Sequence, residues 1–300
     1  MNYLRPVAWQ EIVGILCLMV YSYVAVCIPS YVKNIIDSLT PGTSHPDLWR
    51  SCLVILGLAG LSGVLLYLAR WTIIGASRSI EMAMRNDFFA HIQQMTPGFY
   101  HRMKTGDLMT RFASDLEQVR LMIGPGIMYP FSTCLVTVLA FHSMLIIDAN
   151  LAATLLVPVG VLMLYVNLNT RRLHQVYRQG QEIYSDMTAR VQENFSGIRV
   201  IKAYCQEEAE IERFREISDR YLEKNIEQIK LRGRLFPFMR FIGGVGVVTI
   251  LWLGGLKVIQ GRLTLGNLVQ FTMYYQMLIW PIIALGWIIN VIHRGAASWR

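Results

Sequence analysis

Six apolar runs alternate with strongly polar ones along the chain, at about residues 12–32, 51–74, 127–147, 151–168, 236–259 and 265–288. About 20 apolar residues cross the hydrocarbon core of a bilayer as a helix. The pattern therefore predicts an all-α membrane protein with six transmembrane helices, whereas a barrel would show short alternating strands. Two long polar stretches interrupt the spans, 75–126 and 169–235. The second lacks proline and holds glycine only at Gly180, Gly197 and Gly233. Its first arm repeats apolar residues at Leu173, Val176, Ile183, Met187, Val191 and Phe195. Its second arm does so at Phe214, Ile217, Tyr221, Ile226 and Ile229. Both spacings are helical. Asp186 with Arg190, and Glu216 with Arg220, add i,i+4 pairs. A 27-residue first arm reaches roughly 40 Å at about 1.5 Å per residue, and the turn between the arms is expected around Gly197.

Punctuation elsewhere refines this reading. Pro41, Gly42 and Pro46 mark the loop after the first span. Pro97-Gly98 breaks the helix that extends the second span. Thr105-Gly106-Asp107 opens a short helix, with Asp107 near its positive end. Ser114 and Glu117 form a capping-box pattern that predicts a new helix start. Gly124, Pro125, Gly126 and Pro130 loosen the approach to the third span. Residues 148–150 are a minimal turn, Pro158 is expected to kink the fourth span, and 260–264 are another short turn. Gly243, Gly244 and Gly246 allow close packing of the fifth span.

Composition and charge then assign sides. Hydrophobic residues make up 54% of the 300-residue chain and charged ones only 16%, while the net charge is +8. Threaded through six spans, 22 of the 28 Lys and Arg fall on one side and four on the other. The positive-inside rule puts both termini and both polar stretches in the cytoplasm. A bilayer explains the basic excess without nucleic acid. The Asn194-Phe195-Ser196 acceptor lies on that side and is not expected to be glycosylated. Cys17, Cys27, Cys52, Cys134 and Cys205 show no metal or redox spacing and read as buried small hydrophobes. No catalytic triad, carboxylate pair or metal cluster is legible. The acidic run Glu207, Glu208, Glu210 and Glu212 reads as a solvated helix face.

Ionisable and amide groups inside spans are candidates for a cargo pathway. Arg70 and Arg240 either snorkel to the headgroups or line a cavity. Gln270, Tyr274, Gln276 and Asn290 make the sixth span unusually polar, and Tyr165 adds aromatic surface. Ile198, Val200, Ile201 and Tyr204 place apolar groups on a solvent-side turn. They either dock a partner or pack on the chain's own first polar stretch.

Four stretches together resemble the transmembrane domain of type I ATP-binding cassette exporters. The first is Arg85, Phe88, Phe89, His91 and Ile92, followed by Thr105 to Arg111 and Asp115. The second is Glu193 to Tyr204, with Glu207, Glu208 and Phe214. The third is Gly261, Leu263 to Phe271, Tyr275 and Pro281, and the fourth is Arg294 to Ser298 with Arg300. The resemblance covers nearly the whole chain, 1–300, as one domain. It implies two coupling helices that dock on nucleotide-binding domains. Carried over by position, the first comprises Thr105, Gly106, Asp107, Leu108, Met109, Thr110, Arg111 and Phe112. The second comprises Ser196, Gly197, Ile198, Arg199, Val200, Ile201, Lys202, Ala203 and Tyr204. It also implies a second half-transporter as homo- or heterodimer partner, contact with membrane lipid, a bacterial inner membrane, and a drug, lipid or peptide cargo.

ATP and Mg are implied at the nucleotide-binding domain and no cofactor in this chain, because no G-x-x-x-x-G-K-[ST] loop occurs in it. That domain either follows this chain in a longer protein, which the stop near the family's junction favours, or is separate. A stand-alone channel or scaffold with a cytoplasmic docking loop is the competing expectation.

Overall fold

In the computed structural model, described for Tyr3, residues 5–39 and residues 48–299, the chain is a succession of helices with no strand among the described residues. The proline-glycine loop expected at 41–46 and Arg300 lie outside the described residues. Six helical stretches are long and apolar enough to cross a membrane. They contain the six expected spans and overshoot them.

The first lead turn, Arg5–Val7, feeds α1 (Ala8–Ser38), and α2 (Leu48–Gln93) carries the second span straight into the polar stretch. α3 (Pro97–Arg102) begins on the proline of the predicted break, where a missing N–H costs nothing. α4 (Thr105–Thr110) runs through a π-helical turn, Arg111–Asp115, into α5 (Leu116–Ile123). The capping box is therefore not formed. Ser114 lies inside continuous helix, and the residue before α5, Asp115, is itself helical with no side-chain cap. A cap needs a non-helical residue, and the helix never stops there. The real break is Gly124, before α6 (Pro125–Ile147).

α7 (Ala149–Ser196), α8 (Ile198–Ala203) and α9 (Glu207–Thr249) follow. A π-helical turn, Ile250–Gly254, leads to α10 (Gly255–Ile259), and α11 (Leu265–Ser298) closes the chain. Pro29, Pro130, Pro158, Pro237 and Pro281 all sit inside helices that continue past them.

The chain divides into two compact units. One holds residues 1–154 and 249–300, and the other Leu155–Val248. In the first, α1 packs along α2, and α11 packs on α1, α5 and α6. Leu18, Ala69, Ile73 and Met128 form a core with Cys17, Leu66, Tyr129 and Phe131 around it. Val7, Ala76 and Ile80 form another with Ile123 and Met84. Tyr129 meets Trp287 edge to face at 5.3 Å. Yet Leu56, Tyr67, Trp71 and Trp49 stay exposed on α2. A helix with so little of its apolar surface buried in protein needs lipid against it.

At one end of this unit, Asp37 accepts hydrogen bonds from the Thr264 hydroxyl (2.9 Å) and the Gly266 N–H (2.8 Å). Asp148, the residue before α7, accepts from Leu151 N–H at 2.8 Å and from Lys257 Nζ at 2.6 Å. At the other end, Glu81 on α2 and Arg120 on α5 form a buried ion pair, Nε to Oε2 3.2 Å. Ser298 Oγ donates to Asp115 at 3.0 Å. Gly295 lies so close to Met122 and the Gln118 carbonyl that a Cβ there would clash. α5 is thus held between α2 and the end of α11.

In the second unit, the arms of α7 and α9 run side by side. Tyr184 faces Tyr221 at 5.7 Å, Arg172 reaches Glu227 at 3.8 Å, and Tyr165 stacks on Phe238 at 3.7 Å. Gly244 has no neighbour within 4 Å of an added Cβ, so it is not a close-packing contact here.

Candidate functional site

The tip of the second unit holds the second predicted site. α7 ends at Ser196, Gly197 bridges, and six residues form α8 before the chain turns into α9. Gly197 is not where the backbone needs glycine. Its φ is −95°. The left-handed residue is Cys205, with φ 52°, just past α8, where Gln206 N–H donates back to the Ile201 carbonyl at 3.0 Å. Such a left-handed residue closes a helix C-terminus. Cys205 is also exposed, so the reading of this cysteine as a buried small hydrophobe is wrong. A helix-ending position, not burial, sets its environment. Cys52 and Cys134 are likewise exposed, on spans that need lipid against them.

The arms are clamped just behind this tip. Arg190 donates to Glu193 Oε2 at 3.1 Å and lies 2.6 Å from Glu210 Oε2 on α9, which Arg213 also contacts. The expected Asp186–Arg190 pair gives way to this contact. A partly desolvated ion pair across two helices is stronger than an exposed one along a single helix. Glu210 is accordingly mostly buried, not a member of a solvated face. Partial desolvation raises its carboxyl pKa, but Arg213 and Arg190 outweigh that and hold it below the usual range. Glu207 is held low as well, by its own backbone N–H at the start of α9 and by Lys202.

Between α7, α8 and α9 lies an apolar groove of about 360 Å³, lined by Val191, Phe195, Ile198, Ile201, Ile211 and Phe214 among others. Ile198, Arg199, Val200, Lys202 and Ala203 are exposed on α8, and so are the flanking Ser196 and Tyr204, while Gly197 and Ile201 are half-buried. For Ile198, Val200, Ile201 and Tyr204 the sequence alone allows either a docking face or a surface packed on the first polar stretch.

The first predicted site is split by burial. Leu108 is buried and Phe112 half-buried, one turn apart. Phe112 lies 6.1 Å from Phe88, with the Arg85 guanidinium 5.7 Å from its ring. Thr105, Gly106, Asp107, Met109, Thr110 and Arg111 are exposed. One face of this helix thus anchors it and the other is free.

Arg70, Gln276 and Asn290 are exposed in the first unit, Arg240 is exposed in the second, and Tyr165 is engaged with Phe238. Gln270 and Tyr274 do come together, with a residue that sequence reasoning missed. Gln270 Nε2 donates to Ser30 Oγ at 2.9 Å and to Tyr274 Oη at 3.1 Å, and Tyr274 Oη donates to the Val26 carbonyl at 3.0 Å. Ser30 sat unremarked in an apolar run. Its only sequence signal was a hydroxyl one turn before Lys33.

Residues 12–282 match the family described as ABC transporter transmembrane region. The chain is 28% identical over 291 residues to the Bacillus subtilis protein named probable multidrug resistance ABC transporter ATP-binding/permease protein YheI, covering 95% of this chain and 49% of that one. It is 29% identical over 299 residues to the multidrug resistance-like ATP-binding protein MdlA of Escherichia coli, covering 97% and 50%. An ATP-dependent lipid A-core flippase of Syntrophus aciditrophicus is 23% identical over 299 residues, covering 98% and 49%. The chain spans about half the length of these curated relatives. A six-span helical chain matched over nearly its whole length belongs to the ABC transporter transmembrane region family.

Proposed function

We propose that this chain is the substrate-translocating membrane part of an ATP-driven exporter of hydrophobic or amphipathic compounds. Its cargo class is drug, lipid or peptide. The observation that carries the reading is the tip of the α7–α9 hairpin. There a six-residue helix presents Ile198, Val200 and Tyr204 to solvent beside an apolar groove. Apolar groups left out of any core at the end of a long clamped lever suit docking. The docked partner is a nucleotide-binding domain, fused or separate, which binds ATP and Mg. Residues 105–112 form the first coupling element and residues 196–204 the second.

Names among the relatives support this, since they combine ATP-binding and permease parts or an ATP-dependent flippase. The chain works as one half of a dimer in a bacterial inner membrane. Both termini and both polar stretches face the cytoplasm, as the basic residues favour. Arg70 and Arg240, with Tyr165, Gln270, Tyr274, Gln276 and Asn290, are the candidates for cargo contact.

The test is biochemical. The full-length protein, reconstituted in lipid, is expected to bring an ATPase with it, and a panel of drugs and lipids is expected to stimulate that ATPase. A protein that neither carries a phosphate-cradling loop nor copurifies with an ATPase sinks the reading in favour of a channel or scaffold.

A further inference from the structure

At the end of the first unit where α1 finishes and α11 begins lies a pocket of about 440 Å³, formed by α1, α6 and α11. We propose that it binds a phosphate group at the level of one membrane surface. Seven of its nine lining residues have polar side chains, so the pocket does not suit an apolar ligand. Lys33 is the one charged residue lining it, and it forms no ion pair among the described residues. Lys33 is half-buried, and a partly buried lysine without a counter-ion favours an anion.

Donors stand ready around it. The side-chain amides of Asn34 and Asn267 line the pocket and make no hydrogen bond among the described residues. Asn267 also lies in the first turn of α11, whose positive end favours negative charge. The inner wall is already fixed, because Ser30, Gln270 and Tyr274 satisfy one another and the Val26 carbonyl. Asp37, one turn beyond Lys33, turns its two oxygens to the Thr264 hydroxyl and the Gly266 N–H instead. An ammonium and two amides on residues lining one space suit the several oxygens of a phosphate, and the volume has room for the small headgroup of a phospholipid. The phosphate can come from a lipid headgroup or from solution. The inference does not rest on export, and it can be read without ATP.

The experiment uses the full-length protein in detergent, offered phosphatidylglycerol in phosphatidylcholine micelles and then washed, with retained lipid counted by native mass spectrometry. Inorganic phosphate is added as competitor. Wild type is expected to retain phosphatidylglycerol, and Lys33→Gln to retain about tenfold less, the scale of one charge-assisted contact. Lys33→Arg should restore retention, and Asn267→Leu should lower it without touching the charge. Displacement by inorganic phosphate assigns the site to phosphate in general, and resistance to it assigns the site to the lipid headgroup. Equal retention by wild type and Lys33→Gln, with both variants folded by thermal melting, overturns the proposal, as does the absence of any retained lipid or bound phosphate.

Discussion

Cys205 holds a backbone conformation that a side chain resists, with φ 52° at the hairpin tip. Glycine adopts it freely, so Cys205→Gly is expected to stabilise the protein by about 1 kcal/mol, measured as a rise in melting temperature. Asp148 gives a pH prediction. Burial pulls its carboxyl pKa up, but Lys257 and the Leu151 and Asn150 N–H groups outweigh that and leave it lowered. A lowered folded pKa means the stabilisation is present above the unfolded value of about 3.8 and is lost as pH falls through the folded one. Asp148→Asn should cost about 1–2 kcal/mol at neutral pH, between exposed and buried pair values, and less as the pH is lowered, by thermal melts from pH 3 to 7. A melting curve for wild type that does not move with acid relative to Asp148→Asn contradicts this. Residue-level detail was the least legible part of the sequence. Spacing along one helix suggested Asp186 for Arg190, but the partner that won, Glu210, comes from another helix and has no signature in local order. The same holds for Ser30, which gains its partners only when α1 meets α11.

The helices themselves were largely legible, because lipid and water impose one pattern on spans and another on arms. The six apolar runs and both polar stretches lie on helices where expected, and Pro97-Gly98 marks a true break. What local signals missed was continuity. Ser114 and Glu117 look like a helix start, yet α4 passes through a π turn into α5 without stopping. α5 is anchored instead by contacts from distant elements, above all the Glu81–Arg120 pair, whose partners are about as buried as each other. Removing Glu81 leaves the buried Arg120 only the more exposed Glu117, 3.3 Å away, as a counter-ion. Glu81→Gln is therefore expected to destabilise by about 2–3 kcal/mol, less than a fully stranded buried charge would cost, whereas Glu81→Leu with Arg120→Met should recover most of that loss. Chemical or thermal unfolding of the full-length protein reads both. If the single variant melts like wild type, the pair is not what fixes α5.

On the scale of the whole molecule, the family was legible in four spaced motifs, since each lies where a polar stretch or a span boundary forces a particular shape. The cargo path was not legible, because polar groups within spans do not say which neighbours they will meet. Gln270 and Tyr274 come together directly, and Ser30 joins them from α1. The central proposal is that a partner's movement enters the membrane part at the hairpin tip. It is tested most directly by placing Ile201→Asp in the full-length protein and measuring ATP hydrolysis and cargo transport in the same proteoliposomes. A charge in the half-buried floor of the groove should leave assembly and basal hydrolysis in place, while transport and cargo-stimulated hydrolysis fall by at least about tenfold, the scale of one disrupted interface anchor. Transport at the wild-type rate, with hydrolysis still stimulated by cargo, would contradict the account.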